Sequence, residues 1–236
     1  LNAMDAAERG ASILTRTACT GLNLSENKKH WIISLKDRPA ASARMIVNAA
    51  GPWVRHILDT SGLSGQETPG IRLVKGSHIV VPRLFDGDHA YILQQPDKRI
   101  VFTIPYEHDF TLIGTTDVEY RDSAENPVIT PQETDYLCAA VNRSFKKKIS
   151  PRDVIWHYSG IRPLLDDGDN SASAVTRDYR LVLDHSHGPA LLSVFGGKIT
   201  TYRHLAEEAV DTLTDKPRWT AHTPLPGGDI ESADFE

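Results

Sequence analysis

The chain has 236 residues, 40% of them hydrophobic, which is enough for one large domain or two small ones around a real core. Lys plus Arg number 26 and Asp plus Glu 31, and the net charge of -5 argues against nucleic acid as the main partner, since phosphate-backbone binding needs a basic surface. Two distant cysteines, Cys19 and Cys138, make neither a disulfide framework nor a zinc site and read as free thiols in a reducing compartment.

The chain opens on Leu1-Asn2-Ala3-Met4-Asp5, a polar helical pattern and not a signal peptide. Leu1 is not an initiator methionine, so the chain reads as a piece of something longer, with Met4 as an alternative start. Residues 3–14 predict a helix with Gly10 as its weak point. Residues 13–22 and 30–35 predict two strands joined by the turn Ser25-Glu26-Asn27-Lys28. Residues 44–48 predict a short apolar strand ending at Ala49-Ala50-Gly51-Pro52, where small residues let another group approach the backbone. Pro52 then sets the start of a helix over 53–60.

From Ile71 the texture changes to short strands, at 71–81, 90–93, 99–104 and 110–114, separated by turn residues in the manner of an antiparallel sheet. A helix over 131–145 follows, with Thr130 as cap and Pro131 at its first position. Strands are expected at 154–161, 179–183 and 190–195, with a polar loop at 166–173. The last helix, over 202–213, puts Tyr202, Leu205, Ala206, Ala209, Val210 and Leu213 on one face and Glu207, Glu208 and Asp211 outside. No apolar run approaches a membrane span. The order predicts an α+β (α/β) chain that leaves one domain, inserts a sheet-rich second, and returns near residue 158.

Three constellations carry chemistry. Phe195-Gly196-Gly197-Lys198-Ile199-Thr200-Thr201 runs from a strand into a helix N-terminus, where free amides, the helix dipole and Lys198 suit an anion and Thr200 or Thr201 can cap. A tight turn with a solvated lysine is the plainer alternative. Ser159-Gly160-Ile161-Arg162-Pro163 sets an arginine at a strand end, and Arg177 lies beyond the polar loop; two guanidiniums can clamp a phosphate, or each can pair with a surface carboxylate such as Asp178. Lys75-Gly76-Ser77-His78 offers a histidine suited to take a proton at neutral pH, although a strand histidine is often structural. Lys146-Lys147-Lys148 suits a helix end, and Glu107-His108-Asp109 reads as a turn without a metal site.

Five stretches together resemble one family. Asn48-Ala49-Ala50-Gly51-Pro52-Trp53, Ile71-Arg72-Leu73-Val74-Lys75-Gly76-Ser77-His78, Ile113-Gly114-Thr115-Thr116-Asp117, Tyr158-Ser159-Gly160-Ile161-Arg162-Pro163 and Ser193-Val194-Phe195-Gly196-Gly197-Lys198-Ile199-Thr200-Thr201-Tyr202-Arg203 are similar, in order and spacing, to the aerobic FAD-linked glycerol-3-phosphate dehydrogenases of the D-amino-acid-oxidase-like flavoproteins. The resemblance implies an incomplete FAD-binding Rossmann-like domain at 1–70 and 158–215, a substrate-binding sheet domain at 71–157, and a linker at 216–236. It implies that Asn48, Ala49, Ala50, Gly51, Gly160, Gly196, Gly197, Lys198, Ile199 and Thr200 lie against FAD. It sets Arg162, Arg177, Lys198 and His78 around glycerol 3-phosphate, with His78, Arg162 and Lys198 catalytic. A quinone acceptor, attachment to the inner face of the cell membrane and homodimer formation belong to the same expectation. The family's G-x-G-x-x-G strand and turn are not in the sequence, so the chain by itself is expected to bind FAD weakly and to be inactive. Rival readings are an amine or amino-acid flavoenzyme of the same fold, a non-catalytic phosphate-ligand module, and an oxidase using oxygen.

Overall fold

A computed structural model describes residues 1–166 and 179–230. The chain divides into two units, Leu1–Thr68 with Tyr179–Glu236, and Pro69–Asp178.

In the first unit, α1 (Asn2–Glu8) is shorter than the periodicity predicts. Gly10 adopts φ +95°, a left-handed conformation that ends the helix and that other residues resist. Strands β1 (Cys19–Leu24), β2 (Trp31–Leu35) and β3 (Ala41–Ala43) form an antiparallel sheet in that order. Trp31 anchors it, 1% exposed, with its indole N–H donating to the Pro189 carbonyl at 3.1 Å. Strand β4 (Ile46–Asn48) leads through a 3-10 turn, Gly51–Trp53, into α2 (Val54–Thr60), which buries Val54 and Leu58.

The second unit is built on β5 (Ile71–Pro82), with β6 (Tyr91–Gln94), β7 (Ile100–Tyr106), β8 (Phe110–Gly114), β9 (Val118–Glu119), α3 (Pro131–Ser144) and β10 (Trp156–Leu165). The antiparallel order is β10-β5-β8-β7-β6, with β9 also paired to β5. Thr130 caps α3 in a reciprocal capping box with Glu133. Alternation along the strands sends Ile79, Val81, Val101 and Ile113 into a core with Leu137, Cys138 and Val141 of α3. The opposite face carries Gly76 and His78 from β5, Tyr158, Gly160 and Arg162 from β10, and Phe102 and Ile104 from β7. The sequence places the return to the first domain at residue 158. The structure keeps Trp156–Leu165 in this sheet, paired along its whole length with β5, so the return comes later.

Back in the first unit, β11 (Tyr179–Asp184) and β12 (Leu191–Gly196) form a hairpin, and β12 runs parallel to β4. As the middle strand, β12 is buried from Leu191 to Phe195, which explains its unbroken apolar run. Helix α4 (Tyr202–Leu213) corrects the predicted apolar stripe: Tyr202 and Val210 are exposed, and Glu207 is buried with Ala209. The segment around Thr220 accounts for the reversal, because Thr220 Oγ1 donates to the Glu207 carboxylate, which also pairs with Arg203 at 3.0 Å. Both cysteines are free thiols. Among the described residues no helix is long and apolar enough to cross a membrane.

Candidate active site

His78 sits within β5, as the predicted strand over 71–81 has it. The strand register sets it opposite Tyr158 on one side and Gly114 on the other. The imidazole stacks on the Tyr158 ring, and its other edge lies over Gly114, where an added Cβ would meet His78 Cδ2 at 2.1 Å. His78 Nδ1 is buried without a hydrogen-bond partner in the described residues. Burial, and then the nearby Arg162 cation, push the His78 pKa below the ordinary 6.5, so the ring is neutral at pH 7.

Arg162 lies on the same face. Its guanidinium crosses Gly76, whose missing side chain makes the space; a Cβ there would come within 2.2 Å of Nη2. Nη2 donates to Thr115 Oγ1 at 2.8 Å, and Nη1 donates to the Thr116 carbonyl at 3.3 Å and to Asp117 Oδ1 at 3.0 Å. The guanidinium is therefore held in one orientation by the loop after β8. Asp117, Tyr158, Gly76 and Gly114 were not among the expected site residues, although all four lie inside the motifs quoted for it. Tyr158, Gly160 and Arg162 are two apart along a strand, which is the signal for a shared face.

Beneath, on the α3 side, Lys75 pairs with Glu133 at 2.9 Å, and both side chains are 5% exposed. Burial alone would raise the Glu133 carboxyl. Hydrogen bonds from Lys75, the Thr130 amide, Thr116 and Ser77 outweigh it and hold the pKa at about 2. The pattern Thr130-x-x-Glu133 marks the capping box in the sequence, but nothing there joins it to Lys75.

In the first unit, β4 ends at Asn48, in register with Ser193, and β12 runs on to Gly196. Asn48 is buried and its Nδ2 donates to the Val54 carbonyl at 2.9 Å, tying the strand to the start of α2. Ala49, Ala50 and Gly51 follow, and Gly51 turns the chain at φ +55°. At the end of β12, Gly196 and Gly197 adopt φ +76° and +100°, and the latter leaves only 3.0 Å from a hypothetical Cβ to Leu205 Cδ1. Lys198, Ile199 and Thr200 are exposed just before α4. The expected threonine cap is absent: the Thr201 hydroxyl donates back to the Lys198 carbonyl at 3.2 Å, because a 3-10 turn, Ile199–Thr201, intervenes before the helix. His78, Arg162 and Gly160 thus share the second unit, and the Asn48 and Gly196 turns the first. Arg177 lies outside the described residues.

The family model for FAD dependent oxidoreductases, DAO, matches residues 1–203. The chain belongs to the FAD dependent oxidoreductase family. Its relatives include the D-erythritol 1-phosphate dehydrogenase of Brucella abortus (strain 2308), 47% identical over 100% of this chain and 48% of that one. The glycerol-3-phosphate dehydrogenase of Pseudomonas aeruginosa is 48% identical over 97% of this chain and 46% of its own length. The structure of the Bacillus halodurans glycerol-3-phosphate dehydrogenase complexed with FAD matches with a TM-score of 0.78 at 30% identity, over 95% of this chain and 44% of that one. The chain thus spans about half the length of the relatives it matches.

For an FAD dependent oxidoreductase, the first unit offers a fitting flank for the cofactor. Ligands of α/β sheets bind beyond the carboxyl ends of parallel strands. There β4 and β12 each lead into a glycine turn of left-handed backbone, where the missing side chain lets a ring or phosphate come close to the main chain.

Proposed function

We propose that this chain forms the substrate sheet and part of the flavin-binding unit of an enzyme that oxidises sn-glycerol 3-phosphate to dihydroxyacetone phosphate. The observation that carries the reading is the pairing, on one sheet face, of a neutral histidine with a pre-oriented arginine, each lying over a glycine. Arg162 anchors the substrate phosphate through its planar donors. His78 takes the proton of the secondary hydroxyl at Nε2, since Nδ1 is sealed in the protein. The nearby guanidinium disfavours imidazolium before substrate arrives, which keeps the ring ready as a base. Bound FAD supplies the hydride acceptor, so the alcohol carbon loses two electrons and a carbonyl forms. Asn48 to Gly51 and Gly196 to Thr200 of the first unit would hold the cofactor. The roles of Lys198 and Arg177 at the substrate rest on the sequence resemblance alone.

The reading extends to a quinone acceptor at the inner face of the cell membrane and to a homodimer, in keeping with the sequence resemblance. The 47% identity to a D-erythritol 1-phosphate dehydrogenase favours one variant, a four-carbon polyol phosphate at the same site. The test is flavin bleaching in the full-length protein by the two phosphates in turn. Arg162→Ala is expected to lower kcat/KM by about a hundredfold or more. Near-normal turnover in that variant would remove Arg162 from the mechanism. Because the chain spans about half of its relatives, these 236 residues alone are expected to bind FAD weakly; tight stoichiometric titration would overturn that.

A further inference from the structure

The buried pair of Lys75 and Glu133 needs an account. Removing two charges from water is expensive, and apolar residues of similar volume often serve stability as well or better. This pair is heavily supported. Lys75 Nζ also donates to the Val128 carbonyl at 2.7 Å. Glu133 Oε2 accepts from the Thr130 amide at 2.9 Å, and Oε1 accepts from Ser77 Oγ at 2.8 Å and Thr116 Oγ1 at 2.7 Å.

Thr116 is where this network meets the open face. Its hydroxyl donates to Glu133 below and accepts from the Ser77 amide at 2.9 Å. Its carbonyl accepts from Arg162 Nη1 above, and its neighbours Thr115 and Asp117 accept from the same guanidinium. A shift of Thr116 therefore shifts all three acceptors.

We propose that Lys75 and Glu133 are positioning residues for Arg162, acting through Thr116 to fix the Thr115-Thr116-Asp117 cradle and with it the seat of the substrate's phosphate. This rests on the reading of Arg162 as the phosphate anchor. A network that served only to cap α3 would influence folding and flavin content, and would leave phosphate recognition alone.

The test uses the full-length flavoenzyme and reads KM and kcat for glycerol 3-phosphate, inhibition by inorganic phosphate, and flavin content. Thr116→Val keeps the shape and deletes the hydroxyl. It is expected to raise KM and the phosphate inhibition constant together by about tenfold, with a smaller fall in kcat and full flavin content. Thr116→Ser restores the hydroxyl and is expected to restore both constants. Glu133→Gln and Lys75→Met are expected to move them in the same direction; where either fails to fold, the two Thr116 variants decide. A normal KM and normal phosphate inhibition in Thr116→Val overturn the inference alone. A wild-type enzyme indifferent to both glycerol 3-phosphate and inorganic phosphate overturns the underlying reading, and the inference with it.

Discussion

The imidazole of His78 lies flat against the ring of Tyr158, with centroids 4.7 Å apart and planes within 7° of parallel. The strand register produces this contact, since the two residues face each other across β5 and β10. The stack does what a hydrogen bond to Nδ1 usually does for a catalytic histidine: it fixes the ring. It also dries the ring, and burial is the largest cause of the lowered pKa, ahead of Arg162. Tyr158→Ala is therefore expected to move the acid limb of the pH–rate profile upward, toward 6.5. Under the proposed function glycerol 3-phosphate titrates alike with both proteins, so the difference between variants is the measurement. The sign for stability follows: a depressed folded pKa gives stability that is complete above about 6.5 and is lost as pH falls through the folded value. His78→Asn should flatten that dependence, and an unchanged acid limb in Tyr158→Ala would deny the stack its role.

Two glycines on this face predict opposite balances of stability and activity. At Gly114 a Cβ would strike the His78 ring within its stack on Tyr158, so Gly114→Ala should destabilise by about 1–3 kcal/mol and displace the imidazole. At Gly76 the Cβ would meet the end of a long side chain. Gly76→Ala should then alter stability by less than about 1 kcal/mol and still raise KM by about tenfold, by swinging the guanidinium off its acceptors. Gly65→Ala, outside this face, meets nothing within 4 Å and serves as the control. Urea unfolding beside steady-state kinetics separates the three.

How far the sequence carries the reader depends on the range of each interaction. The Thr130 cap and strands β5 and β8 rest on local pattern, and they are where the pattern puts them, whereas β10 runs four residues past the predicted 161 and β9 has no signal in the pattern. Gly76, Gly114 and Tyr158 are visible in the motifs, but their work as platforms for Arg162 and His78 depends on cross-strand register, which alternation alone does not supply. The bond from Lys75 to Glu133 joins distant segments and leaves no trace in spacing. On α4 the periodicity misleads, because the partner that buries Glu207 comes from the following irregular segment.

Asn48 illustrates a residue whose structural task is plain. Its side-chain amide gives the Val54 carbonyl a second partner beside the helical amide of α2, so Asn48→Leu loses a buried hydrogen bond and should cost about 1 kcal/mol. Flavin affinity of the full-length protein should weaken as well, since the Ala49-Ala50-Gly51 turn follows directly on the strand this bond secures. Unchanged flavin retention in a folded Asn48→Leu variant would separate the turn from the cofactor.

Glu133 ties acid stability to the second unit. Its carboxyl is lowered from an ordinary 4.5 to about 2, despite the opposing effect of burial. A depressed folded pKa means that the stabilisation is complete above about 4.5 and is lost as pH falls through about 2. The gap corresponds to roughly 3 kcal/mol at neutral pH. Glu133→Gln should lose at least that much at pH 7, because it also leaves the Lys75 ammonium buried without its counter-charge. The difference from wild type should then narrow as the pH is lowered from about 4.5 toward about 2, where the wild-type carboxylate takes up its proton. Lys75→Met alone should be costly for the converse reason, an ionised carboxylate without its cation. The double variant Lys75→Met with Glu133→Gln should cost less than the two single losses added, since neither charge remains. Urea unfolding across this pH range measures all four proteins, and a constant wild-type to Glu133→Gln gap would show that folding does not lower the pKa of this carboxyl.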